Sequence, residues 1–230
     1  MAQFVKQHFQ SLFDRGTGWR LHDASFEDCV FDNCALSLST DIEKRTLVEN
    51  VVLKNCTVGA STMGPAILRD VAVDGLITDA LFILWGPIFE YVVFRGNIGK
   101  IKINALVAPF GTADIQKLFD ASRLAAYERM DWALDISEAR FRHIDVTGVP
   151  ARLIKRDPET QMVVTRENAL RTDWRAHVSP ENKLWPFMID QLLKTDDPDV
   201  LMVAPLQGPK KQREHLLRGL HELRELGVAE

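Results

Sequence analysis

The sequence predicts a mainly β fold with helical additions, in which the chain winds as a coil and stacks its turns. Three observations lead there. Between Val48 and Ile103 one residue in every five is apolar: Val48, Leu53, Val58, Met63, Leu68, Val73, Ile83, Ile88, Val93, Ile98 and Ile103, with Thr78 as the one break. The neighbouring column, Glu49, Lys54, Gly59, Gly64, Arg69, Asp74 and Asp79, is polar or glycine throughout, so the pattern is phase-locked. A period of five matches neither the α-helix nor the plain strand. It suits a chain that places one side chain inward at each short face, with successive turns hydrogen-bonded roughly 4.8 Å apart.

The column extends on both sides. Upstream, Leu21, Phe26, Phe31 and Leu36 keep the spacing, and downstream Ile136, Phe141, Val146 and Ala151 keep it again. Two residues earlier sits a second inward position, usually small: Ala24, Cys29 and Cys34, then Cys56, Ser61 and Ala66, then Ala139 and Ile144. The predicted core of the repeat is Phe26, Phe31, Leu36, Leu53, Val58, Leu68, Val73, Ile83, Phe141 and Val146.

Written in fives, the first block reads Ala24-Ser25-Phe26-Glu27-Asp28, then Cys29-Val30-Phe31-Asp32-Asn33, then Cys34-Ala35-Leu36, and Ala139-Arg140-Phe141-Arg142-His143 follows the same scheme. In these segments the chain resembles the pentapeptide-repeat family. The resemblance implies a right-handed quadrilateral parallel β-helix with about four pentapeptides per coil. On that count residues 19–38 make one coil, 46–105 three and 134–153 one, about five in all. Leu76, Leu81 and Tyr91 stand where the family places small residues and depart from its pattern. A β-sandwich is the alternative for alternating runs such as Ile98, Ile101 and Ile103.

Residues 1–18 read as an N-terminal helical cap, with Phe4, Val5, Phe9, Leu12 and Phe13 at helical spacing before Gly16 and Gly18. A β-helix over 19–153 follows, interrupted by a helical insertion at about 106–133. There Thr112 is the N-cap and Ile115, Leu118, Phe119, Leu124 and Ala125 form the apolar side. The insertion shapes a binding face or braces the stack laterally. The region 154–230 reads as a hairpin and helices. Leu153–Arg156 and Gln161–Val164 flank the turn Asp157-Pro158-Glu159-Thr160, and Asp197-Pro198 opens a short helix. A last helix over 209–226 carries Leu216, Leu217, Leu220, Leu223 and Leu226 on one face before Gly227.

With 230 residues, 46% of them hydrophobic, the chain is long enough for a substantial core. The net charge of −4 is spread evenly, with 10 basic and 12 acidic groups in residues 1–110 and 18 and 20 in the remainder. That distribution disfavours nucleic-acid binding. No apolar run is long enough to span a bilayer and no continuous signal-peptide core opens the chain, so the expected location is the cytoplasm. Cys29, Cys34 and Cys56 fit the repeat as small reduced core residues.

No nucleophile elbow, phosphate-binding loop or zinc-protease motif is present, and the predicted catalytic residues, metal ligands and cofactors are none. Asp70, Asp74 and Asp79, and His143 beside Arg140 and Arg142, read as outward polar positions or as wall groups of the kind polysaccharide-active β-helices use. Trp85 and Trp185 stand beside chain-turning residues, as corner packing or as interface anchors. Lys210, Lys211, Arg213, Arg218 and Arg224 on the last helix form a candidate interaction surface, or the solvated outer face of a cap helix. The expected function is a non-enzymatic protein-binding scaffold of bacterial inhibitor or immunity type, presenting a rigid β-helix face as a monomer or homodimer to another protein. The alternatives are an enzyme with a cleft between the β region and the C-terminal helices and, from the family resemblance, a DNA mimic that binds gyrase.

Overall fold

The computed structural model describes residues 1–107 and 111–230. In chain order its strands are β1 (Ala2–Val5), β2 (His8–Gln10), β3 (Arg20–Glu27), β4 (Val30–Asp32), β5 (Ala35–Leu36), β6 (Leu47–Val58), β7 (Thr62–Met63), β8 (Ile67–Thr78), β9 (Phe82–Trp85), β10 (Ile88–Glu90) and β11 (Val92–Asn104). Helix α1 (Ala113–Tyr127) follows, then β12 (Leu134–Val146), β13 (Ile154–Lys155) and β14 (Gln161–Thr165). The chain ends with α2 (Arg166–Arg171), α3 (Leu184–Leu192), β15 (Asp199–Val203) and α4 (Lys210–Glu225).

Thirteen strands form one sheet in which every pairing is parallel, and the longest path through it runs β1-β3-β6-β8-β11-β9-β7-β5. The sheet curls into a half-barrel, and the quadrilateral β-helix expected from the sequence is not what the chain forms. The strands that carry the five-residue column are not short walls. β6 and β8 run 12 residues each, and β11 and β12 run 13, through the positions at which a four-sided coil would turn a corner.

The period of five has a different physical origin. Two residues after many of the inward side chains the backbone takes a left-handed conformation: Lys6, Ser11, Asp23, Asp28, Asn33, Asn50, Asn55, Asp70, Gly75, Tyr91 and Gly96 all have positive φ. A left-handed residue inside a strand acts as a bulge, resetting the in-out alternation and bending the strand. The register aligns these bulges across neighbours. Glu27 faces Lys54, Lys54 faces Asp74 and Asp74 faces Arg95, which places Asp28, Asn55, Gly75 and Gly96 in one line. A second line runs through Asp23, Asn50, Asp70 and Tyr91. Along these creases the sheet curls. At Gly75 an added Cβ would meet Asn55 Oδ1 at 3.0 Å, so the creased strands pack closely there.

The inward positions are mostly those the column named, with one phase slip. Val48, Val58, Met63, Leu68, Val73, Ile98, Ile103 and Phe141 are buried, and Phe26 with them, whereas Phe31, Leu36, Leu53 and Val146 are half-buried. Between β9 and β11 the inward residue lies one place later than predicted. Leu84, Phe89 and Phe94 are buried in register with Met63, Leu68 and Val73, while Ile83 and Val93 are half-buried.

Three further expectations are corrected. Residues 1–18 hold no helix. Phe4 and Phe9 are themselves five apart, and β1 and β2 pair with β3 and β4 so that Phe4 faces Phe26 and Phe9 faces Phe31. The turn at 157–160 closes through the Gln161 amide on the Asp157 carbonyl at 2.9 Å, yet no hairpin results. β13 extends the large sheet beside β12, and β14 pairs antiparallel with β15. Asp197-Pro198 leads into β15 instead of a helix.

Helix α1 lies in the predicted insertion, of which residues 108–110 fall outside the described part. Thr112 caps it, its hydroxyl accepting from the Ile115 amide at 3.4 Å. Its buried side is Phe119, Arg123 and Tyr127, and Leu118 and Leu124, assigned inward from the sequence, are exposed. Arg123 Nη1 donates to the Ala105 carbonyl at 2.9 Å and Nη2 to Asp120 at 2.6 Å, and the Phe89 amide donates to the Tyr127 hydroxyl at 3.3 Å. Burial pushes the Tyr127 phenol up to about 12, so the ring enters the core uncharged. The insertion braces the sheet from the side.

The C-terminal elements close the β12 end. Gln161 Nε2 donates to the Ile136 carbonyl at 2.9 Å and Gln207 Nε2 to the Ile98 carbonyl at 2.7 Å. Their own core gathers Trp174, Trp185, Ile189, Leu216, Leu220 and Leu223.

If the left-handed conformation sets the creases, exposed Asn55 tests it without disturbing packing. Asn55→Gly is expected to leave stability within about 0.5 kcal/mol, and Asn55→Val to cost about 1–2 kcal/mol. Urea denaturation of both variants checks this, and equal stabilities would remove the role assigned to that backbone.

Candidate functional site

The concave side of the half-barrel encloses a hollow of about 650 Å³. Its wall is apolar, contributed in turn by Phe4, Phe26, Leu53, Val73 and Phe94 from β1, β3, β6, β8 and β11. Its floor is dry core: Val92 is 0%, Ile101 1% and Leu84 2% exposed. Its mouth lies at the N-terminal edge, where Leu12 at 55%, Phe13 at 47% and Trp19 at 47% face solvent.

That edge is open. β1 is hydrogen-bonded only to β3 and β2 only to β4 among the described residues, so nothing covers their outer sides. Its inner wall is stiff. Phe4 stacks on Phe26 with ring centres 4.9 Å apart, Phe9 stacks on Phe31 at 5.1 Å, and the two pairs meet edge to face at 5.5–5.8 Å. Such contacts add about 0.5–1.5 kcal/mol per pair beyond the area they bury.

The few polar groups on the wall are committed to neighbours. Ser61 Oγ accepts from the Cys34 amide at 2.9 Å and donates to the Phe31 carbonyl at 3.3 Å. Cys34 Sγ donates to the Phe9 carbonyl at 3.4 Å and Thr62 Oγ1 to the Ile83 carbonyl at 3.3 Å. Asp14, the one ionisable carboxyl on the lining, accepts from Thr17 Oγ1 at 2.6 Å, from the Ser37 amide at 3.0 Å, from the Thr17 amide at 3.2 Å and from the Thr46 hydroxyl. Burial works against its charge, but these donors outweigh it and hold the carboxyl below the usual range. The group ties the 14–17 turn to Ser37 and Thr46, both buried. What this arrangement offers chemically is an apolar space without an unsatisfied polar side chain on its wall among the described residues.

The side chains singled out from the sequence lie elsewhere. Asp70, Asp74 and Asp79 are exposed, as is His143. On α4, Lys210 pairs with Glu214 at 3.8 Å, Arg224 with Glu159 at 3.5 Å, and Arg213 Nη1 donates to the Leu206 carbonyl at 3.2 Å, leaving Lys211 and Arg218 as the exposed cations of that face without an ion pair among the described residues. Trp185 is buried with its Nε1 donating to the Leu216 carbonyl at 2.8 Å, so it packs the lobe, and Trp85 is half-buried. Cys29 and Cys56 are buried free thiols and Cys34 is half-buried. Among the described residues no three histidine, cysteine or acidic side chains converge as a metal site, and no helix is long and apolar enough to cross a membrane.

Leu12, Phe13, Trp19 and Asp14 at the mouth were not singled out as a site. The available signal was the five-residue spacing of Phe4 and Phe9, which continues the column to the start of the chain and places the first residues on the sheet. No protein family matches the chain, and neither the curated proteins nor the solved structures contain a significant match. The resemblance to pentapeptide-repeat proteins therefore has no support from family comparison or from the architecture.

Asp14 ties stability to pH. Its folded pKa is lowered, so its contribution is full above the unfolded value near 3.9 and is lost as pH falls through that value towards the folded one. Asp14→Asn is expected to cost about 1–2 kcal/mol at pH 7, and the gap in melting temperature from the parent should close below about pH 4. A gap unchanged between pH 7 and pH 3 would contradict the assignment.

Proposed function

We propose that the chain is a non-catalytic binding protein that takes an apolar group of its partner into the open end of the half-barrel. The observation that carries this reading is the hollow itself: apolar from wall to floor, rimmed by exposed Leu12, Phe13 and Trp19, and opening at an unpaired sheet edge. Single exposed apolar residues are ordinary, but a group of them around a concave apolar space is a binding feature. The polar side chains on the wall spend their hydrogen bonds on neighbours, and a wall of this kind offers a bound group burial in place of a reacting partner.

In this reading the contact face is the open edge, in place of the β-helix face expected from the sequence. Leu12, Phe13 and Trp19 supply the large side chains that dominate such contacts. The gyrase expectation depended on a β-helical rod and on the family resemblance, and loses its support with them.

A polarity-sensitive dye, 1-anilinonaphthalene-8-sulfonate, tests the hollow directly. The expected result is saturable binding of one dye per folded chain, abolished by Ala35→Phe, which fills the space beside Phe13. Dye binding that does not saturate, or that a folded Ala35→Phe variant leaves unchanged, would overturn the reading.

A further inference from the structure

The hollow has a length and an end group as well as a polarity, and these select among apolar ligands. Five hydrogen-bonded neighbours, β1, β3, β6, β8 and β11, line it in succession. Four strand-to-strand steps of about 4.8 Å make it about 19 Å deep. An extended hydrocarbon with C–C bonds of about 1.52 Å advances about 1.25 Å per carbon, so about fifteen carbons fill that depth. The wall is lined by aliphatic and phenyl groups without a free donor or acceptor along its depth, which fits an unbranched hydrocarbon and penalises any ligand carrying polar atoms in its middle.

The segment that forms the mouth brings a cation to its lip. The chain carries a net −4, yet residues 1–20 hold Lys6, Arg15 and Arg20 against Asp14 alone. Asp14 is turned onto Thr17, Ser37 and Thr46. The Arg15 guanidinium lies 5.6 Å from the centre of the Phe13 ring that lines the opening, and it has no carboxylate partner among the described residues. A cation at the lip of an apolar shaft is complementary to an anion at the end of an apolar chain.

We propose that the occupant of the hollow is a single unbranched fatty-acid carboxylate of about fourteen to sixteen carbons, its chain along the shaft and its head group beside Arg15. This rests on the reading of the hollow as a binding site.

The experiment is displacement of the anilinonaphthalene dye, and direct calorimetry, with a series of saturated acids from eight to eighteen carbons and the matching alcohols, below their micelle concentrations. The expected result is one acid per chain, with affinity rising about fourfold per methylene and levelling near sixteen carbons. Arg15→Glu, at an exposed position, is expected to weaken tetradecanoate about fivefold and leave tetradecanol unchanged. Saturable dye binding that no acid displaces, or displacement without dependence on chain length, would overturn the acyl-chain proposal and leave the hollow standing as a site. Equal effects of Arg15→Glu on acid and alcohol would overturn the placement of the head group. Absence of saturable binding by dye and acids alike would overturn the binding reading with it.

Discussion

The structure depends on a backbone constraint: the alignment, strand beside strand, of residues held in the left-handed region. One left-handed residue in a strand is a local bulge. Lined up through Asp28, Asn55, Gly75 and Gly96, and again through Asp23, Asn50, Asp70 and Tyr91, such residues become creases that cross the neighbouring strands from β3 to β11. Asn, Asp and Gly occupy most of these places because they tolerate the conformation at least cost. Tyr91 does not, and its ring meets Trp132 edge to face at 5.1 Å, a contact that helps hold the backbone there. The creases turn what would be a twisted open sheet into a trough, and the trough creates both the core and the hollow.

The two sides of the trough are treated differently. At the β12 side, β13, the C-terminal strand pair and the side chains of Gln161 and Gln207 cover the last strand, so its edge groups find partners. At the β1 side the phenylalanine wall is well packed within itself, and among the described residues no further strand pairs with it. Natural sheets usually blunt such an edge with proline or with charges in the strand. β1 and β2 contain neither a proline nor a carboxylate. An edge left bare at one end of a molecule so carefully closed at the other is where a binding role fits the fold.

Much of the inward pattern was legible in the sequence, because burial imposes its spacing on side chains wherever the backbone repeats. The column from Val48 to Val73 named buried or half-buried residues, and the helices at 113–127 and 210–225 were visible, the first from its Thr112 cap and the second from its leucine face and terminal glycine. What the residues could not convey was the cause of the spacing. A five-residue period arises from any regular insertion of left-handed residues, and a closed four-sided coil and an open creased sheet share that local rule while differing in long-range pairing. The slip to Leu84, Phe89 and Phe94 was hidden for the same reason, since Ile83, Ile88 and Val93 are equally apolar and only register decides between them. The first eighteen residues were misread because Val5, Phe9, Leu12 and Phe13 fall at helical spacing, while only Phe4 and Phe9 carry the five-residue one. The mouth of the hollow was missed because it is a property of which strand lies outermost.

The insertion between β11 and β12 bears on how the chain reaches this state. Parallel neighbours cannot be joined by a tight turn, and Val92 must find Leu134 across the segment that contains α1. Fully extended, the fifteen residues of α1 would span about 50 Å; wound as a helix they span about 22 Å. Helices form from local contacts and do so early, whereas distant strand pairings are slow. Coiled, α1 shortens the tether between two strands that have to meet, so the brace of the finished molecule also brings their ends within reach of each other.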